Sequence, residues 1–583
     1  MKVKLINEPI TTDYGANLLR ARGIKDVNEF CKPDSTALQS WRFIEGMGAG
    51  LCLLEHMPDD AHVALIVDSD VDGYTSSAVL YQYFMRAFPN WTIDYYLHEG
   101  KAHGLEEHWE ELQNHSYNLI VVPDAGTNDS WYIDQLQTET LVIDHHLLED
   151  SEDDLSMWMT LINNQISPDY HNKSLSGAGM AYQFCRAMDE RFEHNYADDY
   201  IDLAALGVCA DMMSGLEIEN QYLWHRGFNE IHNFFFMTLA RRQGYSITGT
   251  VNPSDEELIE ALDPTSVAFY IVPLINAMIR VGTQGEKERL FQAFIDGQRL
   301  VPSGKRGAKG ELDQIASESA RECTNARSHQ NKFLDTATAQ LDQKIQKHDL
   351  LSNKILFIRL DEEQFPSELN GLIAMRLSQR YKHPTIVARR GPNGTIKGSA
   401  RGLSNSELIS FKNFLSSTGL FDYTQGHDNA FGISIASNQL DALHAYANKE
   451  LSNFDFNSNY YEVNFQRQAL SKDLGLLIED LDKYRHIWSQ QNNQPLIYVT
   501  DLHFTHNDIQ VMGKNKDTLK IVKNGIAYMK FFAKDLIKEL NSISGDIKVE
   551  VVGKPNLNYW GGTVTPQLFI EQIEVKEDRL LDF

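Results

Sequence analysis

Cysteine is scarce in this sequence: five cysteines are scattered through 583 residues, and no two of them form a CxxC pair. This scarcity argues against a disulfide framework or a thiolate zinc site, and for a reducing compartment. No apolar run approaches the roughly 20 residues that a membrane helix needs. The first residues also lack the apolar core of a signal peptide. We therefore expect a cytoplasmic protein with no membrane partner.

An excess of positive charge is also missing. The chain has 53 Lys and Arg residues against 81 Asp and Glu residues, which gives a formal net charge of −28 at pH 7. Such a chain does not attract a polyanion globally, so binding to nucleic acid would need a local basic groove. The same excess of carboxylates suits a protein that holds divalent cations. Charge alone leaves both interpretations open.

What the sequence does contain is a series of short apolar segments that alternate with helical ones. Four strands are predicted at HVALIV (62–67), WTIDYYL (91–97), YNLIVVPDAG (117–126) and TLVIDHH (140–146). After the first of them, GYTSSAVLYQYFMRAF (73–88) predicts a helix with Thr75 or Ser76 near its N-terminus. Near-continuous apolar strands that alternate with helices are typical of a parallel, doubly wound α/β sheet.

The rest of the chain predicts further parts. Residues 174–300 have a mainly helical pattern, and residues 311–348, which contain no Gly or Pro, predict a long solvated helix. A second α/β pattern follows. Several short strand signals between about 496 and 575 then predict a small β-barrel.

Acidic side chains and histidines follow the apolar runs at the points where they end. They are Asp68, Asp70 and Asp72 after the first strand, Asp124 after the third, Asp144, His145 and His146 at the fourth, and Asp211 after LAALGVCA. Each group thus stands at a predicted strand end. Because ligands of an open parallel sheet bind outside the carboxyl ends of its strands, we expect these groups to converge. Unpaired, so many carboxylates would cost several kcal/mol in desolvation. A pair of divalent cations removes that cost, and Asp/His ligation suits Mn²⁺ or Mg²⁺.

Each of these groups has a plainer interpretation when it is taken singly. An aspartate after a strand usually caps a helix or forms a turn, and a His-His pair is more often at the surface. The DxDxDG pattern could be a calcium loop, but the twelfth position from Asp68 is Val79 and not the glutamate of an EF-hand. Only the joint occurrence of the groups, in this order, favours a metal centre.

The same motifs resemble those of a known family. DSDVDGYTS, VVPDAG, VIDHH and LGVCADMMSG are similar to the successive motifs of the DHH phosphoesterases. The resemblance to the RecJ-like, single-strand-specific exonuclease branch covers nearly the whole chain. It includes LLRARGIKDVNEFCKP (18–33), KSLSGAGMAYQF (173–184), PLINAMIRVG (273–282), GSARG (398–402) and GHDNAFG (426–432). NGIAYMKF and TPQLFIEQIEV stand where that branch has its oligonucleotide-binding barrel.

The resemblance implies an α/β fold class: a DHH domain with a parallel sheet, a long linking helix, a DHHA1 α/β domain and a C-terminal OB-like β-barrel. The expected boundaries are an N-terminal segment at 1–48, the DHH catalytic domain with its helical extension at 49–300, the linking helix at 301–350, the DHHA1 substrate-binding domain at 351–455 and the OB-like domain at 460–583.

Carried over residue by residue, the resemblance implies two divalent metal ions, Mn²⁺ or Mg²⁺. Asp68, Asp70 and Asp124 are expected to hold one ion. The expected ligands of the second are Asp72, Asp124, His145 and Asp211, so that Asp124 bridges the two ions. The catalytic group is Asp144, His145 and His146. In that group Asp144 is expected to orient the histidines, and His146 to contact the scissile phosphate.

The resemblance also implies contacts with the substrate. The expected residues are His146, Asn276, Arg280, Ser399, Arg401, Gly426 and His427. Two departures from the family pattern bear on how the substrate lies. Gln425 occupies the first position of a usual double glycine, and HGL (103–105) stands where relatives have a Gly-aromatic-Gly element.

These implications predict a metal-dependent exonuclease that hydrolyses single-stranded DNA in the 5′→3′ direction to mononucleotides, in DNA recombination, repair or replication. Single-stranded DNA is the expected partner, and a single-strand-binding protein or a helicase is a candidate partner. One alternative is a DHH/DHHA1 phosphodiesterase for short oligonucleotides or cyclic dinucleotides, against which the barrel and the linking helix argue. Another is a non-catalytic RecJ-like replication scaffold. Such a protein would be expected to lose metal ligands, whereas here every ligand position is filled.

Overall fold

The computed structural model describes residues 1–6, 13–100, 102–149, 151, 154–308, 310–360, 365–391, 394–403, 405–513, 515–560 and 563–576. The chain forms two compact units. The parallel-sheet unit comprises Asp26–Gln330 and His486–Asn493, and the two-sheet unit comprises Met1–Lys25, Asn331–Arg485 and Gln494–Phe583.

A five-stranded sheet lies at the centre of the parallel-sheet unit, and all its neighbouring strands run parallel. Its strands are, in spatial order, Thr92–Leu97, His62–Val67, Leu119–Pro123, Thr140–Asp144 and Met159–Asn163. The four predicted strands are present, and Met159–Asn163 is an additional edge strand. Along the strand His62–Val67, the side chains of Val63, Leu65 and Val67 enter one apolar cluster, and those of Ala64 and Ile66 enter another. Both faces are therefore covered, which explains the near-continuous apolar runs.

Helices surround this sheet. They are Val27–Cys31, Met47–Glu55, Val71–Ala87, Trp109–Leu112, Ser130–Leu136, Gly177–Phe192, Ile201–Ala210, Ile218–Asn229, Phe234–Arg242, Gly244–Thr248, Asp255–Ala261, Pro264–Ser266, Val272–Val281 and Gln284–Ile295. A π-helical turn, Val267–Ile271, joins two of them, and the two strands Leu300–Pro302 and Leu312–Gln314 pair antiparallel.

The helix after the first strand begins earlier than predicted. Asp70 is its N-cap, because its Oδ1 accepts a hydrogen bond from the Gly73 amide at 3.0 Å. Thr75 and Ser76 lie inside the helix, where their hydroxyl groups donate to backbone carbonyls of the preceding turn. The prediction of a start near Thr75 or Ser76 was wrong because Ser and Thr hydroxyls can also bond back to the helix backbone.

The segment Pro264–Val281 needs separate mention, because over its 18 residues the mean hydropathy is 1.3. By length and composition this helical segment could cross a membrane, although the sequence analysis had found no run of sufficient length. Half of the segment is buried inside the protein. Leu274, Ile275 and Met278 pack into the main apolar cluster, and the core helix of a globular unit passes the same test of length and composition.

The predicted linking helix is Ile315–Lys347. It was expected to be solvated, but one of its faces is buried. Ala316, Ala320 and Cys323 enter the main apolar cluster of the parallel-sheet unit, and Leu334 and Leu341 are buried further along. The polar composition concealed this stripe because its small residues carry little hydrophobic signal.

The two-sheet unit contains a mixed five-stranded sheet and a seven-stranded sheet. The strands of the first are, in spatial order, Phe421–His427, Ala430–Ala436, Thr395–Arg401, Thr385–Arg390 and Leu356–Arg359. Those of the second are Phe465–Gln468, Ile497–Phe504, Ile547–Trp560, Thr563–Lys576, Ile526–Lys530, Thr518–Lys523 and Ile509–Met512. In the part of the chain that the structure describes, this second sheet is OB-like but does not close into a barrel, because its two outer strands each have one neighbour.

Further elements complete the two-sheet unit. The strand Lys2–Leu5 pairs parallel with Tyr460–Val463. The helices other than the linking helix are Tyr14–Ala21, Asn370–Tyr381, Phe411–Ser416, Leu440–Glu450, Asp473–Asp482 and Lys534–Ser542.

Candidate active site

Side chains from separated stretches of the chain converge at the carboxyl edge of the parallel sheet. The imidazole Nε2 of His145 lies 3.2 Å from Asp124 Oδ1 and 3.6 Å from Asp211 Oδ2. It lies 3.9 Å from Asp72 Oδ2. Asp72, His145 and Asp211 each offer one ligand atom, and these atoms are all within 4.8 Å of one another. This is the spacing that one shared cation requires.

A second group of three carboxylates lies beside the first. Asp68, Asp70 and Asp124 also offer ligand atoms that are all within 4.8 Å of one another. Asp68 Oδ1 and Asp124 Oδ1 are buried, and neither has a hydrogen-bond partner among the described residues. A buried acceptor without a partner costs free energy, and a cation removes that cost. The six side chains predicted as metal ligands are thus brought together, and their donor atoms fit divalent cations.

The electrostatics of the two groups show what their proximity costs. Burial raises the pKa of the Asp68 carboxyl to about 6, although the hydrogen bond from His103 opposes this. Burial and the neighbouring carboxylates raise the pKa of Asp124 and of Asp211 well above the ordinary value. Burial also raises the pKa of Asp72 and lowers that of His145. Bound cations would reverse these penalties, because positive charge favours the ionised carboxylates.

The backbone of the site is unusual at two positions. Asp124 has φ +64° and Met212, directly after Asp211, has φ +55°, both in the left-handed region that non-glycine residues seldom adopt. Such conformations cost of order 1–3 kcal/mol each and cluster at functional sites. Asp124 is itself one of the convergent carboxylates, and Met212 directly follows another.

Asp211 does not follow a strand, contrary to the expectation from the sequence. It is the residue after the helix Ile201–Ala210. Every residue of this helix from 201 to 209 is buried, and a short apolar run that is buried on all sides does not reveal by its composition whether it is strand or helix. Asp211 does stand at the end of an apolar run, but the predicted type of that run was wrong.

Asp72 is anchored by residues that the sequence analysis did not single out. It accepts hydrogen bonds from Ser176 Oγ at 2.8 Å, from the Gly177 amide at 2.7 Å and from the Ala178 amide at 3.1 Å. Ser176 is the N-cap of the helix Gly177–Phe192, so the positive end of the helix dipole faces the carboxylate. The signal in the sequence was the segment SGAG, in which a capping serine precedes small residues.

Asp144 and His146 form a hydrogen-bonded pair at the edge of the site. Asp144 Oδ2 accepts from the amide and the hydroxyl of Thr127, and Oδ1 lies 2.8 Å from His146 Nδ1. Although burial opposes ionisation, the hydrogen bond and positive charge of His146 hold the pKa of Asp144 below its ordinary value. Burial likewise opposes the charged form of His146, but Asp144 raises the pKa of its ring to about 9. In the cation-free site, Asp144 therefore favours the charged form of the exposed His146 ring at neutral pH.

The segment HGL (103–105), which differs from the family's Gly-aromatic-Gly element, also contacts the site. His103 Nδ1 lies 2.7 Å from Asp68 Oδ2, so the segment HGL presents an imidazole to a predicted metal ligand. That contact raises the pKa of His103. No local pattern links His103 to Asp68, because a helix, Val71–Ala87, and a strand, Thr92–Leu97, separate the two residues along the chain.

Asn276 and Arg280 lie one turn apart on the helix Val272–Val281 and therefore share a face. Burial lowers the pKa of Arg280, and the negative charge of Asp70 acts in the opposite direction. The Arg280 guanidinium is thus close enough to respond to a carboxylate of the site. The contact of Arg280 with the substrate stays a prediction.

The other predicted substrate residues lie in the two-sheet unit. Arg401 and His427 both pair with Ala430 of the strand between them, and Ser399 pairs with Gly432 of the same strand. Gly426 has φ +125°, a conformation that favours glycine, and His427 is exposed beside it. The mixed sheet therefore brings these residues to neighbouring positions on the two strands that flank Ala430–Ala436.

Comparison with known proteins agrees with this architecture. The DHH family, N-terminal domain, matches residues 62–208, and the RecJ OB domain matches residues 473–572. A putative SPbeta prophage-derived single-strand DNA-specific exonuclease, YorK of Bacillus subtilis, is 32% identical over 99% of this chain and 98% of its own length. The single-stranded-DNA-specific exonuclease RecJ of Haemophilus influenzae is 22% identical over 96% of this chain and 95% of its own length.

Solved structures share the fold. The crystal structure of RecJ in complex with Mn²⁺ from Thermus thermophilus superposes with a TM-score of 0.69 at 18% sequence identity. The match covers 99% of this chain and 80% of that one. Since the Bacillus subtilis relative is similar over nearly the full length of both chains, this protein belongs to the DHH family, in the RecJ-like branch of single-strand DNA-specific exonucleases.

Proposed function

We propose that this enzyme removes nucleotides from single-stranded DNA in the 5′→3′ direction and releases mononucleotides, with two divalent cations in its active site. The convergence of Asp72, Asp124 and Asp211 on the His145 imidazole carries the proposal. The substrate follows from the names of the relatives, which are single-strand DNA-specific exonucleases. The direction and the product follow from the family resemblance.

The proposed ligand sets are the two groups of donor atoms. Asp68, Asp70 and Asp124 would hold one cation, and Asp72, His145 and Asp211 would hold the second, with Asp124 shared between the two sets. Divalent cations held by these residues would supply Lewis-acid chemistry, namely a more acidic bound water and stabilisation of negative charge on the phosphate oxygens. We favour Mn²⁺ or Mg²⁺, because the donor set is rich in oxygen and contains no thiolate.

The protein's own groups position the substrate around these cations. The His146 ring is held by Asp144 in an exposed, positively charged state, which suits a contact with the scissile phosphate. Arg280 supplies a second positive charge near Asp70. In the two-sheet unit, Ser399, Arg401, Gly426 and His427 are proposed to recognise the end of the strand, and the OB-like sheet is proposed to bind the strand further along.

The proposed domain division keeps the boundaries expected from the sequence, with the DHH domain at 49–300 and the OB-like domain at 460–583. We further propose a cytoplasmic role in DNA recombination, repair or replication. A single-strand-binding protein or a helicase is the proposed source of single-stranded substrate, because a chain of net charge −28 has little global attraction for DNA.

The decisive experiment compares single strands labelled at the 5′ end with strands labelled at the 3′ end, in Mn²⁺ and in EDTA. We expect labelled mononucleotides to appear at once from the 5′-labelled strand, only late from the 3′-labelled strand, and not at all in EDTA. Immediate release of the 3′ label, or digestion in EDTA, contradicts the proposal. Faster cleavage of a dinucleotide than of a long strand would instead support a phosphodiesterase for short oligonucleotides.

A further inference from the structure

We propose that His98 is an additional, nitrogen ligand of the cation at Asp68, and that Glu107 holds its ring in the form that can ligate. This assignment deepens the proposed function and rests on it. It adds an imidazole to a ligand group that otherwise consists of carboxylates.

The parallel sheet places His98 directly beside Asp68. The strands His62–Val67 and Thr92–Leu97 are neighbours, and Val67 pairs with Leu97 at their carboxyl ends. Asp68 and His98 are the next residues on the two strands. Their side chains are 2% and 0% exposed, and His98 Nε2 lies 4.0 Å from Asp68 Oδ1. Neither atom has a hydrogen-bond partner among the described residues.

The spacing of these two atoms fits a shared ion better than a direct contact. A hydrogen bond from nitrogen to oxygen spans about 2.7–3.2 Å, so 4.0 Å is too long for one. Two ligand atoms that each lie about 2.1 Å from one cation are separated by at most about 4.2 Å. Leaving a buried nitrogen and a buried oxygen both unpaired is costly, and a cation between them would satisfy both.

Glu107 determines which nitrogen of His98 can bind. Its Oε2 lies 3.1 Å from His98 Nδ1, and an ionised carboxylate only accepts hydrogen bonds. Nδ1 therefore carries the hydrogen of the neutral ring, and the lone pair is on Nε2, which faces Asp68. A carboxylate behind a histidine in this way is the usual support of a metal-bound imidazole.

The surroundings hold the ring in place. The His108 ring stacks on that of His98 with centroids 4.8 Å apart and an angle of 27° between the planes. Lys287 Nζ donates to the His98 carbonyl at 3.1 Å, so the backbone at the end of the strand is also fixed. His103 occupies the other oxygen of Asp68, which leaves Oδ1 for the ion.

A separate ion is the main competing explanation. His98, Glu107 and His108 also offer ligand atoms within 4.8 Å of one another, so they could hold a cation of their own. The two arrangements make opposite demands on His108, which is a ligand in the separate site but only a stacking partner in our proposal. A His108→Phe variant keeps an aromatic ring in the stack and removes its nitrogens, which makes it a matched control for His98→Phe.

The test is cation binding by the full-length protein without substrate. Mn²⁺ is titrated into the wild type, His98→Phe and His108→Phe, and the free ion is followed by EPR while calorimetry gives the number of sites and their affinities. We expect two sites in the wild type. In His98→Phe one site should weaken by at least the roughly 10- to 100-fold that loss of an outer-sphere partner costs. In His108→Phe both sites should be unchanged.

The preference between metals provides a second readout. An imidazole ligand favours Mn²⁺ over Mg²⁺, whereas carboxylates suit both ions. The affinity ratio of Mn²⁺ to Mg²⁺ at the weakened site should therefore fall in His98→Phe and also in His98→Gln, which keeps a polar side chain beside Glu107. If His98→Phe does not fold, as judged by near-UV circular dichroism, His98→Gln decides the question.

Two results would overturn the assignment. The first is a folded His98 variant with wild-type Mn²⁺ affinity and wild-type metal preference. The second is an equal loss in His108→Phe, which would assign a separate ion to His98, Glu107 and His108. A wild type that binds no pair of cations would contradict the proposed function itself, so the two failures are distinguishable.

Discussion

Gly177 lies directly beneath the carboxyl group of Asp124: a methyl group at residue 177 would fall 2.3 Å from Asp124 Oδ1 and 2.5 Å from its Cβ. Gly207 has the same relationship to Asp72, since a methyl group there would fall 2.3 Å from Asp72 Oδ1. The convergent carboxylates therefore pack against bare backbone at two helices. Glycine is needed at these two positions because any side chain would overlap the aspartates, and not because the backbone has a positive φ.

Gly177→Ala should displace Asp124 and disable the enzyme. A misplacement of about 1 Å at a catalytic group can cost about 10²-fold in rate, and we expect a loss of that size together with weaker Mn²⁺ binding. The measurements are the initial rate of mononucleotide release and a Mn²⁺ titration.

Gly48→Ala is the matched control for this substitution. Gly48 is exposed on the helix Met47–Glu55, and no atom lies within 4 Å of a methyl group built there. The change should leave the rate unaltered and stabilise the protein by roughly 0.5–1 kcal/mol through helix propensity. A Gly177→Ala enzyme with wild-type rate would show that the close contact with Asp124 has no functional importance.

Asp211→Asn should abolish turnover and leave the fold intact. Asparagine keeps the shape of this side chain, which is a third exposed, so the protein should still fold, whereas the second cation loses a charged ligand. Without that ligand the transition state should lose several kcal/mol of stabilisation. We therefore expect kcat/KM to fall by at least about 10³-fold. Asp255→Asn, which alters a surface ion pair with Arg241, is the control and should keep full activity. Undiminished nuclease activity in Asp211→Asn would remove Asp211 from the ligand set.

The cation-free protein should become less stable as the pH rises. Burial raises the pKa of Asp68 from 3.8 to about 6, and burial with like charge raises those of Asp124 and Asp211 further. These acids bind more protons in the folded state than in the unfolded state. The unfolding free energy therefore falls as the pH rises above about 4, through the folded-state pKa values. The melting temperature in EDTA should accordingly decline as the pH rises through about 6, the pKa of Asp68, and should decline further as Asp124 and Asp211 ionise.

Added Mn²⁺ should reverse this trend, with the largest stabilisation at the highest pH, because the ligands must be deprotonated to bind. Asp124→Asn removes one of the repelling charges. Without cations, its melting temperature at neutral pH should exceed that of the wild type by about 1–2 °C per kcal/mol of relieved repulsion, and the response to Mn²⁺ should be lost. A cation-free wild type whose stability rises over this pH range would contradict the prediction.

His146 should produce the alkaline limb of the pH–rate profile. Asp144 raises the pKa of the His146 ring to about 9, and its positive charge is lost as the pH rises through that value. Bound cations oppose the charged ring, so kcat/KM should decline at or below about pH 9. His146→Gln should lower the rate by about 10²-fold and abolish that limb. The exposed His56 is the control position, where His56→Gln should change neither the rate nor the profile.

Much of the framework was predictable because it depends on local patterns. Buried parallel strands need apolar residues on both faces, so His62–Val67 and the three other predicted strands of its sheet were visible in the sequence. The ligand types were visible too, since acids and histidines at the ends of apolar runs are costly without cations. Local patterns were less informative where two structures share one pattern. Thr75 and Ser76 could cap a helix or lie inside it, and the apolar run before Asp211 could be strand or helix.

The sequence by itself determined that carboxylates and histidines stand at the ends of apolar runs, because hydrophobic burial leaves few other positions for them. Only the tertiary structure decided which of them meet. Strand order placed His98 beside Asp68, and the start of the helix Gly177–Phe192 supplied three donors to Asp72. Such contacts join residues far apart along the chain, and their distances follow from how strands and helices pack, which no local pattern of residues encodes.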